Sequence, residues 1–258
     1  RTPETSTLSL PAPLPIRRGW VAPPIARHRL GQAFDRFVAL SDRDGQTLTA
    51  GALSRACILD ANWTSLDRWI AVLEALLAED TAAISPQIRV IGFSRLLYAT
   101  FARQPQHQRL AEWADRTLAL LGAEVDCNEA VLAGFSLMTY YNWTGNTSKQ
   151  EHVIRQIKPL LAGRQLSPVS LAYWKWAHSN HVLRVGTPRE ALAVIDEGLE
   201  LAESNGLAIA AVIRRHRIGH LLLLDDLSAA DLEIKNIEAT PHGEQYYEMQ
   251  SWLAVQRG

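Results

Sequence analysis

The sequence predicts an all-α fold, a right-handed superhelix of about five helical hairpins that repeat roughly every 40 residues. The tripeptide Asn-Trp-Thr occurs at 62–64 and again at 142–144. Turn-forming residues recur at a similar spacing, at Ser65, Pro105, Gly145, Gly186 and Asp225. Each of these turns is followed by a segment whose apolar residues recur every three or four positions, as in an amphipathic helix. Because one hairpin cannot bury its own apolar stripe, hairpins of fixed period are expected to stack on one another.

The first 24 residues are predicted to form a Pro-rich extended arm or linker, followed by a single helical-repeat domain over 25–258. Six of the twelve prolines lie in residues 1–24, where the missing N–H groups oppose helix formation. We expect this arm to lie along the folded domain, with Trp20 and Val21 as its contacts. A first helix is predicted over 25–40, and the turn cluster 41–45 is predicted to end it.

The clearest hairpin lies between Ser167 and Gly206. One helix is predicted from about Pro168 to Val185 and a second from about Pro188 to Ser204. Proline is well tolerated in the first turn of a helix. Thr187 is the expected N-cap of the second helix, because its hydroxyl can accept a hydrogen bond from a backbone N–H of the first turn.

Composition and motifs argue against several classes of function. A net charge of −1 does not predict a nucleic-acid-binding surface, and the apolar runs are too short to span a bilayer. Cys57 and Cys127 lie far apart and match no metal or redox spacing, which favours reduced thiols in the cytoplasm. No spacing of Ser, Cys, His or carboxylate residues points to catalysis. We therefore predict no enzyme activity, no cofactor and no membrane or direct nucleic-acid contact.

Four histidines invite comparison with a metal site, since they form two pairs at helical spacing: His178 with His181, and His216 with His220. The repeat offset staggers the two pairs, and no carboxylate or cysteine lies at ligand spacing near them. Packing or surface roles are therefore favoured over metal binding.

Two local patterns carry a resemblance to a known family. Residues 186–201, with Gly186 in the turn and Ala191 at a small packing position, resemble the second helix of a tetratricopeptide repeat. The phrases AEWADRTLALLG and YYNWTG resemble the helical sensor regions of large bacterial transcriptional activators, such as relatives of the maltotriose-responsive activator and proteins with a bacterial transcriptional activator domain. The resemblance covers roughly residues 46–258. It implies a sensor or signal-integration segment whose ATPase and DNA-binding parts lie outside this chain.

In tetratricopeptide-like stacks, the first helix of each hairpin lines a concave groove. Counting back from each turn gives the residues expected to face it: Arg55, Arg95, Thr139, Asn142, Tyr173, Trp176, Asn180, Arg184 and Arg215. Phe135 shares the position of Arg95 and Trp176 in the count. Two residues before each turn lies a further equivalent position, occupied by Trp63, Arg103, Trp143, Arg184 and Leu223. Guanidinium groups beside aromatic rings and amides suit an anionic or sugar-like small molecule, or an acidic peptide. The competing interpretation is that the arginines form a solvated face and that the tryptophans pack between repeats.

The predicted function is therefore binding, in the sensor part of a cytoplasmic bacterial transcriptional regulator. The alternative is a protein–protein interaction scaffold with no small-molecule effector, and a helical-repeat enzyme is a weaker third hypothesis. The partner is either a small-molecule effector or an acidic peptide or protein, and the sequence leaves assembly into a homo-oligomer open.

Overall fold

A computed structural model describes residues 23–59, 62–78, 83–122, 125–163 and 166–238. Within these ranges the secondary structure is entirely helical and no strand occurs, which confirms the all-α class. The eleven helices in chain order are α1 (Pro23–Ala39), α2 (Arg43–Leu59), α3 (Trp63–Ala78), α4 (Pro86–Arg103), α5 (Leu110–Leu120), α6 (Cys127–Trp143), α7 (Thr147–Gly163), α8 (Pro168–Val185), α9 (Pro188–Ser204), α10 (Ile209–Leu222) and α11 (Leu227–Glu238).

Four of the five predicted turns lie between helices, as expected. Pro105 lies between α4 and α5, and Gly186 lies between α8 and α9. Gly145 and Asp225 adopt positive φ angles of 71° and 57° in the turns after α6 and α10. Gly145 suits this left-handed conformation because it has no Cβ.

The predicted turn at Ser65 is wrong, because Ser65 lies in the first turn of α3. The chain leaves α2 at Leu59, and the side chain of Asn62 accepts a hydrogen bond from the Ser65 N–H at 3.2 Å. Asparagine is a favoured N-cap, so the first hairpin turns a few residues earlier than the repeat count predicts.

The predicted break over 41–45 is also shorter than expected. Ser41 takes a positive φ of 56°, and the Asp42 carboxylate accepts a hydrogen bond from the Gly45 N–H at 2.9 Å, so α2 already begins at Arg43. At the other end, α1 begins at Pro23, two residues before the predicted start. The predicted contacts of Trp20 and Val21 lie outside the described residues.

The hairpin of α8 and α9 has the predicted bounds. Thr187 caps α9 in a capping box: its side chain accepts from the Glu190 N–H, and the Glu190 carboxylate accepts from the Thr187 N–H at 2.8 Å. This reciprocal pair satisfies two backbone donors that a helix start would otherwise leave unpaired.

The helices pack mainly with their neighbours in the chain. The even-numbered helices α2, α4, α6, α8 and α10 contact one another in chain order, and each odd-numbered helix from α3 on packs on the even-numbered helix before it. One buried apolar core extends from α2 to α10. A smaller cluster joins α10 to α11, formed by Ile218, Leu221, Ala230 and Ile237. The even-numbered helices are therefore the layer on which the predicted groove residues lie.

Candidate functional site: two arginines on an aromatic cluster

The first and fourth even-numbered helices meet through a cation–π contact. The guanidinium carbon of Arg55, on α2, lies 4.7 Å from the ring centre of Tyr173, on α8. Neighbouring helix axes lie about 8–10 Å apart, so three steps in a straight row would separate α2 from α8 by roughly 24–30 Å. The row must therefore curve, with Arg55 and Tyr173 on its concave side.

Arg95, on α4, is the second guanidinium at this place. It pairs with the Glu129 carboxylate of α6 at 3.1 Å, and its side chain is only 13% exposed. A Cβ at Gly51 would lie 3.1 Å from Arg95 Cγ, so the side chain lies against the backbone of α2. Burial lowers the pKa of the Arg95 guanidinium, the positive charge of Arg55 lowers it further, and Glu129 acts in the opposite direction.

An aromatic cluster continues from these arginines towards α10. Phe135 of α6 is its centre: its ring centre lies 5.1 Å from Tyr98, 4.8 Å from Tyr173 and 5.0 Å from Trp176. Tyr173 and Trp176 are 6% and 7% exposed. These rings are therefore inter-helix packing as well as candidate contacts, in keeping with the competing interpretation of the aromatic residues.

Trp176 of α8 meets His216 of α10, the residue next to the predicted Arg215. The Trp176 and His216 rings lie 4.7 Å apart. Burial, assisted by the charges of Arg215 and His220, lowers the pKa of His216 to about 3. The ring is therefore neutral at pH 7. His216 follows Arg215, the residue that the repeat count predicts, by one position, which is about 100° of rotation around the helix.

The remaining predicted residues do not join this cluster. Asn142 and Arg184 pair with each other at the C-terminal ends of α6 and α8. Asn142 lies seven residues beyond Phe135, which is about 10 Å along the helix. Thr139 donates its hydroxyl to the Phe135 carbonyl at 2.9 Å within α6, and Asn180 is half-buried on α8.

Glu129, Tyr98 and His216 are not among the site residues predicted from the sequence. Glu129 is a partner of Arg95 across two helices, and no spacing within one helix reveals such a pair. Tyr98 of α4 likewise contacts Phe135 of α6, a contact between two helices that no spacing within one helix reveals. His216 could have been found by shifting the repeat count at α10 by one residue.

The described residues add two further findings. They contain no group of three or more His, Cys, Asp or Glu side chains placed to hold a metal ion. None of their helices combines the length and the apolar character that a bilayer crossing requires.

Comparisons with known proteins leave the site to be interpreted from its own geometry. No family model, no curated protein and no solved structure matches the chain.

Chemically, the cluster of Arg55, Arg95, Glu129, Tyr173 and Phe135 offers two guanidiniums and one carboxylate beside aromatic rings. It can form paired hydrogen bonds with an anion and stacking contacts with a ring.

Proposed function

We propose that this chain is a non-enzymatic, ligand-binding helical-repeat segment, and that Arg55 and Arg95 bind an anionic ligand on the concave side of its even-numbered helices. The further proposal is that the hairpins form a right-handed, tetratricopeptide-like superhelix. The observation that supports binding most directly is the proximity of these two arginines from α2 and α4, of which Arg95 is paired with Glu129.

The charge balance favours an anion. Arg55 and Arg95 repel each other, only Arg95 is paired with Glu129, and burial of Arg95 makes its positive charge costly. An anion beside both arginines would offset their mutual repulsion. Hydrogen bonds to charged groups contribute about 1.5–3 kcal/mol each when they are sheltered from water. The adjoining ring of Tyr173 provides a stacking surface for a ligand that carries a ring.

The cellular role that fits best is sensing within a bacterial transcriptional regulator in the cytoplasm. This role rests on the sequence resemblance and on the position of the cluster. A ligand that joins α2, α4 and α8 would change the curvature of the helix row, since Arg55 and Tyr173 already connect its first and fourth members. A change of curvature is a means of passing a binding signal to flanking domains.

The test is a thermal-shift comparison of anions with uncharged counterparts. The probes are citrate, glucose 6-phosphate, adenosine monophosphate and an oligoglutamate peptide, set against glycerol, glucose, adenosine and an oligoglutamine peptide. A ligand at one hundred times its dissociation constant stabilises the folded state by about 2.7 kcal/mol. For a protein of this size that corresponds to roughly 5–10 °C.

Arg55→Gln is the informative variant, and Arg155→Gln is its control. Arg155 is exposed on α7, so the control loses the same charge elsewhere. Arg95→Gln is less suitable because it would leave Glu129 without its partner. We expect Arg55→Gln to abolish the anion-induced shift and Arg155→Gln to retain it. An equal shift in both variants, or no anion-induced shift in the unchanged protein, contradicts the proposal.

A further inference from the structure

A row of exposed side chains follows the C-terminal ends of four even-numbered helices. We call it the C-terminal edge, and it consists of Arg103, Trp143, Arg184 and Leu223. Arg103 and Trp143 end α4 and α6, Arg184 is the last residue but one of α8, and Leu223 directly follows α10. Each occupies the equivalent place two residues before a repeat turn. Trp63, the fifth residue at this position in the count, instead begins α3.

Trp143 is the apolar centre of the C-terminal edge. It is 68% exposed, which is unusual for the largest apolar side chain. Its ring centre lies 5.7 Å from that of Phe101 in an edge-to-face arrangement, and Phe101 lies in turn 6.4 Å from Tyr140. Tryptophan is enriched among the residues that dominate the energy of protein interfaces, and Trp143 is both exposed and in contact with a second ring.

Arg184 supplies the charge beside it. Its Nε donates to Asn142 Oδ1 at 3.2 Å and its Nη2 donates to the Asn142 carbonyl at 2.7 Å. Both acceptors are neutral, and within the described ranges no carboxylate pairs with Arg184. Nearby cations are paired differently: Arg103 has Asp67 at 2.9 Å, and Lys149 has Asp115. Arg184 is therefore a fixed guanidinium whose charge is not neutralised and whose Nη1 remains able to donate.

We propose that the C-terminal edge binds an extended protein segment in which an acidic side chain contacts Arg184 and an apolar side chain on either side contacts Trp143 and Leu223. Leu223 is 60% exposed and directly follows α10, the next even-numbered helix after α8. Helix axes about 8–10 Å apart match about three residues of extended chain at roughly 3.3 Å per residue. The partner motif is therefore apolar-x-x-acidic-x-x-apolar. This surface is separate from the Arg55 and Arg95 cluster, so the proposal does not rest on the proposed function.

The test uses the full 258-residue chain and two arrays of nine-residue synthetic peptides. One array carries the motif with Glu or Asp at its centre, and the matched array carries Lys there. We expect the unchanged protein to bind the acidic array and not the lysine array. Trp143→Ala and Arg184→Glu should each weaken binding at least tenfold, whereas Arg155→Glu, the same charge reversal at an exposed site on α7, should not.

Two further measurements separate binding from folding. Arg184→Glu should gain binding to the lysine array, which an unfolded variant could not do. Arg184→Lys keeps the charge but loses the paired hydrogen bonds to Asn142, so it should bind the acidic array several-fold more weakly with an unchanged circular-dichroism melt. The proposal is overturned if the unchanged protein binds no acidic peptide, or if Trp143→Ala and Arg184→Glu bind as tightly as Arg155→Glu does.

Discussion

Replacing Gly134 by alanine tests the packing between successive hairpins. Gly134 lies inside α6, and a Cβ there would lie 2.9 Å from Ile157 Cγ1 and 3.4 Å from Trp174 Cζ3. Both neighbours are buried, on α7 and α8. The methyl group therefore has no open space to enter, and the side chains around it would have to shift.

Gly31 offers the matched control, because it also lies inside a helix but has nothing within 4 Å of its added Cβ. In both variants the alanine favours the helix by about 1 kcal/mol. Overpacking a core costs about 1–3 kcal/mol. We therefore expect Gly31→Ala to stabilise the protein by about 0.5–1 kcal/mol, and Gly134→Ala to destabilise it by up to about 2 kcal/mol.

Urea unfolding followed by circular dichroism measures both free energies, with the midpoints compared at equal slope. The difference between the two variants is independent of helix propensity, since both make the same substitution. If Gly134→Ala stabilised the protein as much as Gly31→Ala does, the close approach of α7 and α8 to α6 would be refuted.

Two further predictions concern the cap of α9 and His216. Thr187→Ala removes the capping box with Glu190 and should lower the free energy of unfolding by about 1 kcal/mol. Thr64→Ala, the control at an exposed threonine in α3, should change the free energy of unfolding little. Equal effects of the two substitutions in urea unfolding would contradict the capping role of Thr187. The pKa of His216 is lowered to about 3, so as pH falls through the unfolded value near 6.5 the unfolded chain binds a proton that the folded chain does not. This residue should therefore lower the free energy of unfolding by about 2 kcal/mol between pH 7.5 and pH 5. In urea unfolding, His216→Phe should lose less stability than the unchanged protein over the same pH range. An equal loss in the two proteins would show that His216 is not held neutral.

Local sequence signals determined the helices and most of the turns. Pro168, Gly186, Thr187 and Pro188 act within one or two turns of their own position, so they were sufficient to predict α8 and α9 with the observed bounds. The same reasoning explains the one displaced turn. The repeat count placed this turn at Ser65, but the side chain of Asn62 caps α3 and so α3 begins before Ser65.

The candidate site depended on the tertiary structure. The repeat count placed Arg55, Arg95, Phe135 and Trp176 on one face, because each lies at the same distance from its turn. It could not show that Arg55 reaches Tyr173, since that contact joins α2 to α8 and depends on how all the helices between them pack. Nor could it show that His216 meets Trp176. One residue turns a helix by about 100°, so the sequence determined which helices form and in what order they pack, while the packing angles decided which side chains meet.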